Sequence, residues 1–189
     1  AKMSDEQGFS TAHAALYAAC HWGLADWEGT KISFDLEPGG KVEIVRNGGP
    51  NYAPIGPIFP PKDLQQNGRQ SFGRTAAGFA YIHLRDVPGN LPDQLDTMLA
   101  GLADAPGLIL DMRANGGGGC DHAAVFGRFV PVGTQWRQYP SAGAHPFAGP
   151  MVVIVDPGVR SAGETVAGQF KEDGRAYLIG EGPTAGMSS

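Results

Sequence analysis

The sequence predicts an α/β fold in which a mostly parallel sheet is covered by helices. Three observations lead there. From residue 79 onward, strand-like apolar runs alternate with helix-patterned segments. One run opens through four consecutive glycines into a helical segment, and another opens through an Asp-Pro-Gly turn into a serine at the mouth of a helix. Strands alternating with helices imply right-handed crossovers and parallel pairing.

The elements follow in order. Phe79 to Leu84 reads as a strand, and Asn90 to Asp104 as a helix with Leu91, Leu95, Met98, Leu99 and Leu102 at helical spacing. Asn90 suits an N-cap and Pro92 suits the first turn. Strand 107–112, helix 121–130, strand 151–155, helix 162–172 and strand 175–179 complete the alternation. Ahead of them, Thr11 to Cys20 is an alanine-rich helical segment. Lys31–Leu36 and Lys41–Arg46 flank Glu37-Pro-Gly-Gly40 as a β-hairpin. Residues 47–77 are rich in Gly, Pro, Asn and Gln, with Pro50, Pro54, Pro57, Pro60 and Pro61 opposing regular structure. They are expected to be a linker or long loop, docked through Ile55, Ile58, Phe59 and Phe72.

Function in such sheets collects at the carboxyl ends of strands, and both special loops leave carboxyl ends. Ser161 stands where unpaired backbone N–H groups and the helix dipole favour negative charge, so an oxyanion forming beside it would be stabilised. Ser161-Ala-Gly-Glu164 also fits a capping box, in which the serine is a structural N-cap. The run Gly116 to Gly119 marks positive φ, close backbone approach or flexibility, and its N–H groups can form an anion nest. It matches neither the P-loop nor the dinucleotide glycine fingerprint.

Gly107-Leu-Ile-Leu-Asp-Met-Arg-Ala-Asn-Gly-Gly-Gly118, Gly149-Pro-Met-Val-Val-Ile-Val-Asp156, Ser161-Ala-Gly-Glu164 and Gly174-Arg-Ala-Tyr-Leu-Ile-Gly-Glu181 with Thr184-Ala-Gly186 occur in that order. Over about residues 78 to 187 the chain thereby resembles the C-terminal processing (tail-specific) serine peptidases. The resemblance implies a ClpP/crotonase-like core, 78–189, preceded by a PDZ-like region, of which residues 1–46 would be a part. It implies Ser161 as nucleophile and the N–H groups of Gly118 and Ala162 as oxyanion hole; Gly117, His122 and Glu164 are further site candidates from their places in the two loops. An extended or C-terminal polypeptide segment would be the substrate, with no cofactor and no metal, in an extracytoplasmic or periplasmic setting. The family's catalytic lysine position holds Met187, which draws the chain toward the tricorn-like and retinoid-binding branch. Its active members take a histidine from ahead of the PDZ-like region and a glutamate from well past the T-x-G motif. Neither segment is present, so the chain is expected to be a fragment or processed product, able to associate with a second fragment or form a homo-oligomer.

A serine hydroxyl needs a base within hydrogen-bond reach. Lys171 lies ten residues along the same helix, roughly 15 Å down its axis at 1.5 Å per residue, too far to serve. His122, next to Asp121 past the glycine loop, is a candidate base or a polar helix-start residue. His83 sits within a strand, where a satisfied, partly buried ring is the default. His13, Cys20 and His21 match no zinc spacing. His145 lies in a Ser/Ala/Gly/Pro loop. Cys120 has no activating motif nearby.

Composition narrows the classes further. The 189 residues, 42% hydrophobic, suffice for one moderate domain and part of a second. No apolar run approaches the roughly 18 residues of a membrane span. A formal charge of −5 leaves no basic stripe for phosphates, which argues against a nucleic-acid partner. Serine-dependent peptide hydrolysis is the leading expectation. A peptide- or apolar-ligand-binding protein on the same scaffold is the alternative. An acyl-thioester enzyme is a third reading without an adenine or pantetheine signal.

Overall fold

The computed structural model describes residues 8–9, 11–22, 27–47 and 60–186. Met187, the prolines at 50, 54 and 57, and Ile55, Ile58 and Phe59 lie outside the described residues. The chain divides into two compact units, 1–55 and 56–189.

The first unit carries helix α1 (Ala12–Trp22) and the antiparallel strands β1 (Lys31–Asp35) and β2 (Lys41–Val45), with Lys31 opposite Val45 and Asp35 opposite Lys41. This is the expected helix followed by a hairpin.

The second unit is built on a six-stranded sheet of order β10-β9-β6-β5-β4-β3. Its strands are β3 (Gln65–Asn67), β4 (Gln70–Arg74), β5 (Ala80–His83), β6 (Leu108–Asp111), β9 (Met151–Ile154) and β10 (Tyr177–Ile179). β5, β6, β9 and β10 are parallel neighbours, as the alternating pattern predicts. The crossovers are helices α2 (Leu91–Leu99), α3 (His122–Gly127) and α4 (Ala162–Glu172). A two-stranded ribbon, β7 (Gln135–Trp136) with β8 (Tyr139–Pro140), follows α3 and has no counterpart in the sequence reading.

Register explains the core. Successive side chains alternate between the faces of a strand. Ile82, Leu110 and Val153 are opposite one another and fully buried. They form one cluster with Leu91, Leu95 and Met98 of α2, Phe126 of α3, and Val166, Ala167 and Phe170 of α4. Phe170 stacks on Phe126 at 5.1 Å and meets Phe129 edge-on. The next residue along each of the first two strands, His83 and Asp111, points to the other face.

Three expectations need correction. Residues 65–74, read as part of a linker, form the hairpin β3–β4, which pairs antiparallel onto β5. The prolines cluster before this segment, and its own strands are polar, so composition masked an edge hairpin. Phe72 does pack inward against the core. α2 ends at Leu99, five residues early, because Gly101 favours turns; Leu102 and Ala105 are buried from those turns instead. α3 closes at Gly127, three residues early, where a Cβ would lie 2.6 Å from the Pro140 carbonyl oxygen.

No helix among the described residues is long and apolar enough to cross a membrane.

Candidate active site

The loops leaving the carboxyl ends of β5, β6, β9 and β10 are laced together, with the glycine loop in the middle. Gly116 N–H donates to Arg85 O (3.0 Å), Val87 N–H to Gly117 O (2.8 Å) and Gly119 N–H to Val87 O (2.7 Å). In this parallel bridge of Val87 with Gly118, the bonds use the residues flanking Gly118. Its own N–H therefore points away from Val87 and donates to no group among the described residues. Side-chain bulk is excluded here: Gly118 has φ 140°, and an added Cβ would collide with the Val87 carbonyl.

Two residues, Asp156 and Asn115, join the glycine loop to the serine loop. The Asp156 carboxylate, at the end of β9, accepts from Ala114 N–H and Gly158 N–H, each at 2.9 Å. Burial raises its pKa, and those two N–H bonds oppose the rise. Asn115 is fully buried; its Oδ1 accepts from Gly117 N–H (2.9 Å) and its Nδ2 donates to Leu84 O (2.8 Å). Its backbone carbonyl accepts from Arg160 N–H (3.1 Å).

Ser161 is the residue before α4 and adopts φ 54°, ψ −130°, a region that costs a non-glycine residue about 1–3 kcal/mol. Its side chain makes no capping hydrogen bond. The capping box is not formed either. Glu164 Oε1 accepts from Gly186 N–H at 2.8 Å, holding the Thr184-Ala-Gly186 turn, while Ser161 N–H donates to Gly186 O at a long 3.5 Å. Ala162 N–H, at the start of the helix, has no acceptor among the described residues. Gly117 packs directly on this turn. Its ideal Cβ position falls 2.8 Å from Ser161 Cβ, 2.9 Å from Arg160 O and 3.3 Å from Ala162 N. The structure thus brings Gly117 onto the Ser161–Ala162 turn, where Ser161 is half-buried, and leaves the N–H groups of Ala162 and of Gly118, the residue after Gly117, unpaired among the described residues.

The residues that could act as a base are placed less favourably. His122 is the first residue of α3 after the N-cap Asp121, whose carboxylate accepts from Ala124 N–H (3.0 Å). It lines a groove of ≈ 770 Å³ with Glu164, Thr165, Gln169 and Gly186, and its Nε2 makes no protein hydrogen bond. Ser161 is not among the residues lining that groove. His83 is buried and committed elsewhere: Nε2 lies 2.9 Å from Arg113 O, and burial lowers its pKa. Lys171 lines a separate apolar groove of ≈ 860 Å³ at the amino ends of the strands, with Phe79, Leu108, Met151 and Tyr177. That groove is the larger one, but it lies at the edge opposite Ser161. The Cys120 thiol packs against the core, and burial followed by Asp121 raises its pKa, which disfavours the thiolate.

Beneath the loop, the buried Asp111 carboxylate accepts from Arg113 Nε (3.0 Å to Oδ1), Arg113 Nη2 (2.5 Å to Oδ2) and Tyr81 Oη (2.7 Å). Burial and then the Asp111 charge push the Tyr81 phenol upward, so it stays a donor. Gln70, also fully buried, accepts from Arg85 N–H (2.8 Å) and donates to the Asp86 carboxylate (2.6 Å), so the hairpin braces the segment after β5 that leads to Val87, against which Gly118 lies. The sequence reading named neither Gln70 nor Asp156 as a support. An Asp opening a Pro-Gly turn was the available signal for the second.

A family model for peptidase family S41 matches residues 78–189, more than half of the chain. The chain belongs to peptidase family S41. The match begins just before β5 and takes in all four motif segments. Among solved structures, the S41 chain is similar to a candidate peptidase from Parabacteroides merdae, with TM-score 0.54 and 23% identity over 67% of this chain and 47% of that one. It is also similar to the tricorn protease (TM-score 0.45, 23% identity, 57% of this chain and 11% of that one). The photosystem II D1 C-terminal processing protease gives TM-score 0.48 and 20% identity over 84% of this chain and 45% of that one. The first likeness concerns the fold; the other two are weaker. The S41 chain spans less than half the length of each.

Proposed function

We propose that the chain is the core of a serine-dependent peptidase acting on extended polypeptide segments. One observation carries this reading: Ser161 is held in a costly backbone conformation at a helix mouth, its hydroxyl unused as a cap, with the glycine loop packed on it through Gly117 and the N–H groups of Ala162 and Gly118 unpaired among the described residues. Strain at a residue whose side chain makes no capping bond fits a nucleophile on a sharp strand-to-helix turn. Ser161 Oγ attacks the scissile carbonyl carbon and gives its proton to a base. The carbonyl π pair moves to oxygen, and the two N–H groups hold that oxyanion until the amine leaves with a proton. Glu164 holds the Gly186 turn next to the serine, and His122 is the described histidine closest in sequence to the glycine loop. Residues 1–46 are proposed to be part of a PDZ-like region that captures the peptide.

A non-catalytic binding protein on the same scaffold is the second reading. It is favoured by one observation: no histidine, lysine or carboxylate among the described residues hydrogen-bonds Ser161. Fluorophosphonate labelling separates the two, on this chain and on any longer form, with Ser161→Ala as control. Labelling that vanishes in the variant supports the activated serine; silence from a well-folded longer form overturns it in favour of ligand binding.

A further inference from the structure

The peptidase reading leaves open how two backbone N–H groups from different loops are kept in a fixed relation to Ser161. Backbone donors cannot be tuned by choosing a side chain, so something else must fix the loops. An oxyanion hole acts only if its donors are already in place, and a displacement of about 1 Å costs roughly 10²-fold in rate.

We infer that Asn115 is the positioning residue that sets the glycine loop against Ser161; the inference rests on the serine-peptidase reading. All four polar atoms of this residue are hydrogen-bonded, and two of the bonds reach other segments, at Leu84 and Arg160. Nδ2 donates to Leu84 O, at the carboxyl end of β5. Oδ1 accepts from Gly117 N–H, the residue before the proposed donor Gly118. The backbone carbonyl accepts from Arg160 N–H, the residue before Ser161. Asn115 N–H donates to Met112 O at 2.9 Å, closing the turn that carries it. The carboxamide also meets the first turn of α4: a Cβ on Gly163 would fall 2.5 Å from Asn115 Oδ1 and 3.0 Å from its Cγ.

These contacts divide the N–H groups of the loop. Taking up Gly117 N–H leaves Gly118 N–H as the free donor that faces outward. The residue is fully buried, so water does not compete for its bonds. Leucine or alanine would keep the two main-chain bonds and supply neither of the two side-chain bonds. Aspartate would keep the acceptor but lose the donor to Leu84 and bury a charge. Glycine at 163 is required for the same reason, since the carboxamide occupies the space of its side chain.

The test is a double-mutant cycle of Asn115→Ala and Gly163→Ala, read by the rate of fluorophosphonate labelling per folded molecule and by amide hydrogen exchange at Gly117. Each single variant is expected to slow labelling, Asn115→Ala by about 10²-fold and Gly163→Ala by about tenfold or more. Gly117 exchange should speed up in Asn115→Ala while core amides of α2 stay protected. The double variant should label no more slowly than Asn115→Ala, because the added methyl enters the space the carboxamide has left. Wild-type labelling rates in both folded single variants, or single effects that multiply in the double, overturn the inference. If Asn115→Ala does not fold, Gly163→Ala still displaces an intact Asn115 and decides by the same readouts. If neither the unmutated chain nor a longer form labels, the peptidase reading fails by itself. Exchange at Gly117 then decides for Asn115: release supports its hold on the loop, and unchanged protection overturns it.

Discussion

The α-carbon of Gly117 lies so close to Ser161 that a Cβ on the glycine would stand 2.8 Å from the serine Cβ. Two loops separated by more than forty residues are therefore in van der Waals contact at the proposed site. Gly117 also has φ 86°, which disfavours any side chain. Gly117→Ala is expected to destabilise the fold by about 3 kcal/mol and abolish labelling. Gly116→Ala, where an added Cβ meets nothing within 4 Å, should leave both nearly unchanged. Chemical denaturation of the two variants checks the contrast; equal stabilities would mean that the contact does not hold in solution.

Ser161 offers a test of strain against function. In a helix, alanine is ordinarily better than glycine by about 1 kcal/mol. At φ 54° the order should reverse, since glycine alone adopts this conformation without cost, and Ser161 makes no capping bond to lose. Ser161→Gly should be more stable than Ser161→Ala by about 1 kcal/mol, with both unlabelled by a fluorophosphonate. Melting temperatures of the pair decide it, and alanine proving the more stable would remove the argument from strain.

Arg113 neutralises Asp111, whose side chain is wholly buried while that of Arg113 is 28% exposed. Removing the guanidinium leaves a buried carboxylate held only by Tyr81 and one backbone N–H. Arg113→Ala should cost about 3 kcal/mol, at the low end for a broken buried pair because water can reach the arginine side. Arg113→Lys should recover only part, lacking the two-pronged donor. Urea unfolding of the three proteins gives the order, and an Ala variant as stable as the parent would contradict it.

His83 sets a dependence on pH. In the folded chain, burial holds its pKa below the ordinary 6.5, with the bond to Arg113 O acting the other way. The unfolded chain therefore binds the proton first as pH falls. Stability from this residue is complete above about pH 6.5 and is lost below it, down through the lower folded value. His83→Gln, which can still donate to Arg113 O but does not titrate, should flatten the stability curve over that window. Denaturation midpoints between pH 7 and 5 measure it; parallel curves for parent and variant would assign the loss to other groups.

How much was legible in the sequence differs by element. The helix over 162–172 and the four parallel strands could be read because apolar spacing is a local property and burial on one face repeats with it. The ends of α2 and α3 were misjudged because Leu102 and Val130 continue the apolar spacing, although the chain has already left the helix to reach the core from a turn. The hairpin β3–β4 was missed for the opposite reason. Its residues are polar, and it exists because β5 offers an edge to pair with and Gln70 finds Arg85 and Asp86.

For the site, the motif residues Gly107–Gly118 and Ser161–Glu164 carried the family membership, and the alternation of elements alone put both loops on one sheet edge. Whether Ser161 caps the helix could not be read from Ser-x-x-Glu, since the same letters serve a capping box and a strained turn. That choice depends on Glu164 having Gly186 N–H as a partner from another loop. The contact of Gly117 with Ser161, the outward turn of Gly118 N–H and the bonds of Asn115 to Leu84 and Arg160 are likewise relations between segments far apart in sequence. Local pattern determines which residues form strands and helices because propensity and burial act over a few residues. Only tertiary structure decides which backbone groups stay unpaired, because a hydrogen bond between loops exists only once the sheet has brought them together.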